Sequence, residues 1–286
     1  MSGIELAGAI APPQRSTVII RPTKGWAVLN LRELWQYRDV LVMLALRDIK
    51  LRYKHTALGV IWVVLQPLVA GLIFAVIFGK FAKLPSDGNP YLLFVFAGLI
   101  AWTFFAGAIQ RAGNSLITDS RLITRVYFPR LLVPLSGTVS ALLDFVVSLL
   151  LITGLLIYYQ VNPGWPLLLL PVFLLLTLIL ATGVSLWLSA LNVQYRDFMY
   201  ALPFLIQVWL FASPVAYTAG LVPEKWKFVY SLNPMVGIIE GFRFVFLGAS
   251  SLTLEMLLSS VFLAVAAFVS GTFFFRRVER SFADFL

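Results

Sequence analysis

Six stretches of this chain are each about twenty residues or longer, continuously apolar and nearly free of charge. They run from Leu58 to Gly79, Tyr91 to Gln110, Leu131 to Tyr159, Pro166 to Leu191, Phe198 to Tyr217 and Thr253 to Phe275. A helix needs about 20 such residues to cross the hydrocarbon core of a bilayer. The runs are continuous rather than alternating, which argues against a transmembrane β-barrel. The expected fold is all-α: a polytopic membrane protein with six transmembrane helices. Composition agrees, with 60% apolar residues and 12% charged ones, about half the charged share of a soluble domain.

The chain carries 22 Lys+Arg against 13 Asp+Glu, and their placement sets the orientation. On a six-span topology 17 basic residues share one side: nine within residues 1–57, Arg111, Arg121, Arg125 and Arg130 in the second connection, then Arg196, Arg276, Arg277 and Arg280. The five opposite are Lys80, Lys83, Lys225, Lys227 and Arg243. The positive-inside rule then puts both termini in the cytoplasm. Residues 1–25 contain Pro12, Pro13, Arg15, Arg21 and Pro22 but no long apolar core, so no cleavable signal peptide is expected and the first span directs insertion. With no cysteine and one histidine, disulfides, thiolate metal sites and His-cluster metal sites are excluded. No G-x-x-x-x-G-K-[ST] occurs, since Gly79-Lys80 is followed by Phe81 and lacks the earlier glycine. No nucleotide site is therefore readable, and uphill transport would draw on another polypeptide or an ion gradient. Topology accounts for the basic residues, so no nucleic-acid partner is expected.

Residues 30–57 mix apolar and charged positions. Leu31, Trp35, Val42, Leu46, Ile49 and Tyr53 fall on one helical face, with Arg32, Gln36, Arg47, Lys50 and Lys54 opposite. The pattern is that of an amphipathic interface helix with its basic side at anionic headgroups. A second reading docks it on a cytoplasmic partner. Two connections are long: a cytoplasmic loop over 111–130 and an outer region over 218–252. The outer region carries Trp226, the break Asn233-Pro234 and an apolar run from Met235 to Leu247. Thirteen residues reach only about 20 Å, so short re-entrant or interfacial outer helices are expected there, as a lid or a hairpin. Asn233 suits an N-cap, and Glu240 and Arg243 stand three apart, close enough to pair. Asp144 is the one acid deep in an apolar run. It is either a functional carboxylate or a structural one bonded to Ser140, Ser148 or a neighbouring helix. Gln66, Gln110 and Gln207 either face a wet interior or hold helices together.

The motifs Arg47-Asp48-Ile49-Lys50-Leu51-Arg52-Tyr53-Lys54, Leu58-Gly59, Trp62 and Gln66-Pro67 begin an ordered series. It continues with Pro90-Tyr91, Trp102-Thr103-Phe104-Phe105, Asn114-Ser115-Leu116, Ile123 to Arg130, Leu191 to Asp197 and Asn233-Pro234-Met235. Over roughly residues 30–280 this series resembles the polysaccharide-export permeases of the type-2 ABC exporter superfamily, of the Wzm and TagG kind. Those are membrane subunits that export O-antigen, capsule or teichoic-acid polymers. The resemblance implies a homodimer in the bacterial cytoplasmic (inner) membrane, paired with two copies of a separate ABC ATPase that binds ATP and Mg. No cofactor or catalytic residue is expected on this chain.

The same resemblance assigns Arg47, Asp48, Lys50, Arg52 and Lys54 to the interface helix. It assigns Arg121, Arg125, Tyr127 and Arg130, with Arg196 and Asp197, to ATPase coupling. The substrate conduit would hold Trp62, Gln66, Phe74, Gln207, Trp209 and Phe211, where aromatic faces and amides suit a lipid-linked glycan. Trp226, Asn233, Pro234, Glu240 and Arg243 would form the outer gate. The expected organisation is a flexible extension 1–29, the interface helix 30–57, the permease domain 58–275 and a cytoplasmic tail 276–286. Two alternatives stand beside this reading: a type-2 ABC exporter of a lipid or drug, and a proton-coupled carrier using Asp144.

Overall fold

The computed structural model describes residues 31–54, 59–195, 197–248, 250–279 and 282, and the regular structure within them is helical. The expectations for residues 1–29 and for Arg196 lie outside the described residues, as do the side chains of Lys54 and Trp62. Helix α1 (Leu31–Gln36) turns at Tyr37 into α2 (Arg38–Lys54). Helix α3 (Gly59–Phe74) continues as π-helical turns over Ala75–Phe81. Then come α4 (Tyr91–Thr118), α5 (Ser120–Arg125), α6 (Leu132–Tyr158) and, after a 3₁₀ turn at Trp165–Leu169, α7 (Leu170–Gln194). The chain closes with α8 (Phe198–Phe211), α9 (Glu224–Ser231), α10 (Pro234–Leu247) and α11 (Leu254–Glu279).

Helix α4 is the axis. A helix apolar all round must be covered all round, and 78% of its most apolar window is buried. Its buried residues run from Leu93 to Leu116, and α6, α7 and α10 cover it most extensively. In a bilayer, helices associate through close packing of small residues rather than by escaping water. Two such contacts hold the frame. A Cβ on Gly137 of α6 would lie 2.8 Å from the Ala112 backbone of α4. Between α7 and α11 the backbones touch: a Cβ on Gly183 would lie 2.4 Å from the Phe268 nitrogen, and one on Gly271 2.3 Å from the Gly183 carbonyl oxygen.

Five helical segments are long and apolar enough to cross a membrane among the described residues: Val64–Phe81, Tyr91–Thr118, Leu132–Tyr158, Trp165–Gln194 and Leu254–Glu279. The expected span from Phe198 to Tyr217 is a shorter helix. α8 stops at Phe211 because Ser213-Pro214 turns the chain, and the Pro214 and Val215 carbonyls are taken by Arg243. The 111–130 connection is also shorter than expected. α4 runs on to Thr118, leaving Asp119, the turn-and-a-half α5 and residues 126–131 before the chain re-enters at α6.

The amphipathic segment packs on the bundle along one edge and keeps Trp35, Val42 and Leu46 of its expected apolar face outward. Leu44 and Ala45 are buried. Leu44 joins a cluster with Leu116, Ile123, Phe128 and Leu131. The reason is electrostatic: Arg47 faces Asp119, between α4 and α5, and Arg52 faces Asp144 of α6, which draws that edge of the helix inward.

Gly183→Ala is expected to push α7 and α11 apart and cost about 1–3 kcal/mol as an overpacked contact. Gly154→Ala, where nothing lies within 4 Å, serves as control. Thermal melting of the detergent-solubilised protein checks this: a drop for Gly183→Ala and none for Gly154→Ala.

Candidate functional site

The end of the bundle that carries α5 is organised by two ion-pair clusters reaching from α2. Arg47 sits one residue before Asp48, so both flank the same edge of the helix. Its Nη2 donates to Asp119 Oδ2 at 2.6 Å and to Asp48 Oδ1 at 2.7 Å. Asp119 is the residue between α4 and α5, so this contact ties α2 to the joint of the short helix. Burial opposes the Arg47 charge, but hydrogen bonds and charge from Asp119 and Asp48 outweigh it and hold the guanidinium above its ordinary value. Burial pushes the Asp48 carboxyl up, and its bond to Arg47 offsets this only in part.

One and a half turns along α2, Arg52 Nη1 donates to both oxygens of Asp144, at 2.9 Å and 2.7 Å. Arg111 of α4 gives the same carboxylate a third bond, Nη1 to Oδ2 at 2.8 Å. Gly107, one turn before Arg111, makes this possible, because a Cβ there would lie 2.8 Å from Arg111 Nη2. Arg111 follows the apolar stretch Tyr91–Gln110, about 30 Å of helix, so the cluster stands at the edge of one bilayer thickness. Asp144 is therefore bound by neither Ser140 nor Ser148. Ser140 Oγ instead donates to the Gly137 carbonyl at 2.8 Å. A carboxylate in apolar surroundings needs charge compensation, and here two helices supply it.

At the opposite end Glu240 and Arg243 pair at 2.8 Å, and both side chains are 0% exposed. Arg243 also donates to the carbonyls of Tyr217, Pro214 and Val215 and lies 3.8 Å over the Phe94 ring. Glu240 accepts from the Ala219 and Ser251 amides. This buried staple closes the loops around α10, which is itself wedged against α4, α7 and α11. α10 is thus a core element rather than a lid. Asn233 caps it as expected, accepting from the Met235 amide at 3.0 Å, with Pro234 in the first helical position. Asn233 also accepts from Trp209 Nε1 at 2.9 Å. The exposed part is α9, whose Trp226, Phe228 and Val229 point outward.

The other predicted residues divide cleanly. Arg121, Arg125 and Tyr127 are exposed together on and just after α5, and Asp197 and Lys50 are exposed as well. Arg130 is engaged: its Nη1 donates to the Glu279 carbonyl at 2.9 Å and its guanidinium lies over Phe282. Gln66, Gln207 and Phe211 are exposed on the outside of the chain. Phe74 is half-buried beside Phe78, and Trp209 packs edge-on against Phe105 with centroids 5.0 Å apart. Trp209 is therefore a structural contact rather than a free stacking face. Sequence reasoning missed the pairing roles of Arg47, Arg52, Arg111 and Asp119. The available signal was depth: Asp144 needed a cation, and Arg111 closes the span before it.

A sequence model described as ABC-2 type transporter matches residues 40–247, which includes both ion-pair clusters, α5 and the buried staple. The chain belongs to the ABC-2 type transporter family. Within the curated relatives, the O-antigen export system permease protein RfbA of Myxococcus xanthus is 31% identical over 257 residues, covering 89% of this chain and 98% of that protein. RfbA of Klebsiella pneumoniae is 28% identical over 252 residues, covering 87% and 95%. The polysialic acid transport protein KpsM of Escherichia coli is 23% identical over 205 residues, covering 69% and 77%. The chain is accordingly a multi-pass membrane protein of a transporter permease family.

Breaking one half of a buried pair leaves the other charge uncompensated, at a cost of about 3–5 kcal/mol. Arg243→Met is expected to lose most of the monodisperse protein on gel filtration. The double variant Glu240→Gln/Arg243→Met should recover part of that yield, which a generic packing defect at Arg243 would not allow.

Proposed function

We propose that this chain is the membrane-spanning permease subunit of an ATP-driven exporter that carries a lipid-linked polysaccharide, of the O-antigen class, across the bacterial cytoplasmic membrane. The observation that carries this reading is the likeness to an O-antigen export permease along 89% of this chain and 98% of the relative, on top of the family match. ATP and Mg belong to a separate ABC ATPase, and two copies of each subunit make the working exporter. The charge partition puts the α5 end and both termini in the cytoplasm.

Six crossings remain the favoured topology. Leu202 of α8 lies against Gly113 of α4, and the Tyr91 hydroxyl donates to the Ala216 carbonyl. Gly113 and Tyr91 are separated by about 33 Å of helix, so α8 and its following turn traverse the same depth as a full span. The conduit lies between two copies of the chain. Only 6% of the Val64–Phe81 window is buried within one copy, and Gln66, Gln207 and Phe211 face outward. Amides there exchange hydrogen bonds with sugar hydroxyls, and Phe211 offers a face to sugar C–H groups. α9 and the capped start of α10 form the outer gate.

ATP-driven closure of the partner would push on α5. α5 joins α4 through Asp119, and Asp119 is held by Arg47, so the push reaches α4 and α2 together. The carrier alternative rests on Asp144 alone, and that carboxylate is taken up by Arg52 and Arg111.

Because Arg130 is occupied by the Glu279 carbonyl, docking falls on Arg121 and Arg125. The double variant Arg121→Glu/Arg125→Glu is expected to reduce co-purification of the ATPase at least about tenfold, a loss of some 1.4 kcal/mol of docking energy, while leaving permease yield intact. Undiminished co-purification together with undiminished polymer export would refute this docking site.

A further inference from the structure

We propose that Asp144 is an exchange latch. Arg52 of α2 and Arg111 of α4 compete for its carboxylate, and Arg111 lowers the cost of lifting α2 away. This deepens the coupling reading above and rests on it for what moves α2.

Three observations carry the inference. First, one carboxylate serves two guanidinium groups, which share Oδ2. Arg52 holds both oxygens, and Arg111 holds only Oδ2. Second, Nε and Nη2 of Arg111 are buried without a hydrogen-bond partner. A buried N–H left unpaired costs free energy that forming its bond would return. Arg111 Nη1 already touches the carboxylate, and a guanidinium grips a carboxylate best through two parallel N–H bonds. Third, the two competitors differ in exposure. The Arg52 side chain is 40% exposed and sits near the end of α2, whereas Arg111 is 26% exposed and built into the central helix.

The consequence is a two-state arrangement. With α2 seated, Arg52 saturates Asp144 and Arg111 is under-bonded. When α2 lifts, Arg52 is rehydrated and Oδ1 is released, so Arg111 can rotate to hold both oxygens and pair one of its orphan N–H groups. Asp144 is never left uncompensated, so the usual penalty for opening a buried ion pair is avoided. A simple support would behave in the opposite way: if Arg111 only steadied Asp144 for Arg52, removing Arg111 would loosen α2.

The sign of one substitution decides between these. The chain has no cysteine, and Leu44 of α2 is 2% exposed beneath the seated helix. Leu44→Cys is therefore a single thiol that reports α2 lifting by its rate of maleimide labelling in lipid nanodiscs. Arg52→Leu should accelerate labelling roughly fivefold, and Arg111→Leu should slow it by a similar factor, the scale of one hydrogen bond. Asp144→Asn should accelerate it and abolish the effect of Arg111→Leu. If Arg111→Leu does not elute as wild type on gel filtration, Arg111→Lys replaces it: a point charge without the fork, expected to label more slowly than wild type. Labelling that is unchanged or faster in the Arg111 variant overturns the latch. Adding ATP to the ATPase complex tests the underlying reading separately. A wild-type rate that ignores ATP overturns the coupling role of α2, whereas the order of basal rates still decides the exchange.

Discussion

A charge withdrawn from water has to be met by an opposite charge from the same molecule, and the architecture at both ends of this bundle follows from that requirement. At the α5 end, Asp144 recruits Arg111 from α4 and Arg52 from α2, so the segment before the first long helix is bound into the protein instead of lying on it. At the other end, Glu240 and Arg243 neutralise one another and spend their remaining bonding capacity on the carbonyls and amides of the surrounding loops. The two solutions differ in kind. The Glu240–Arg243 pair is fully buried, with no competing ion-pair partner among the described residues. The Asp144 cluster is partly exposed, and two guanidinium groups share its one carboxylate.

The helical frame and these charges divide the mechanical work. α4 and α6, and α7 and α11, are pressed together at glycines where no Cβ fits, and α4 also packs extensively on α7. α2, α3, α5 and α9 lie outside that frame, with Val42 and Leu46 of α2, Ile61 and Ile73 of α3, Arg121 and Arg125 of α5 and Phe228 of α9 exposed. At Asp119 the end of α4 meets both α5 and, through Arg47, α2.

Much of this was legible in the residues. Apolar run length located α6, α7 and α11 to within a few positions and the start of α4, whose polar last two turns run on to Thr118, because twenty apolar residues in sequence have few alternatives. The Asn233 cap and the Glu240–Arg243 pair followed from helical spacing. The failures share one physical cause. Periodicity reports which side of a helix is apolar but not what lies opposite its polar side. For α2 the polar side met Asp119 and Asp144, 72 and 92 residues away in the chain, partners that spacing along one helix does not announce. The end of α8 was missed for the same reason. Hydropathy continues through Ala212 to Tyr217, but Ser213-Pro214 bends the backbone and Arg243, 29 residues beyond Pro214, captures the exposed carbonyls. Trp209, an attractive stacking face in isolation, turned out to have its indole N–H committed to Asn233.

The sparse packing of α3 bears on how such a protein is made. A helix with a mean hydropathy of 2.0 over Val64–Phe81 inserts on its own account, independently of any helix it will later touch. Synthesis can then complete the α4-centred core while α3 waits in lipid with Gln66 unclaimed. Any partner that covers α3 would then meet a core already folded, so its arrival is set by concentration in the membrane rather than by the folding of this chain.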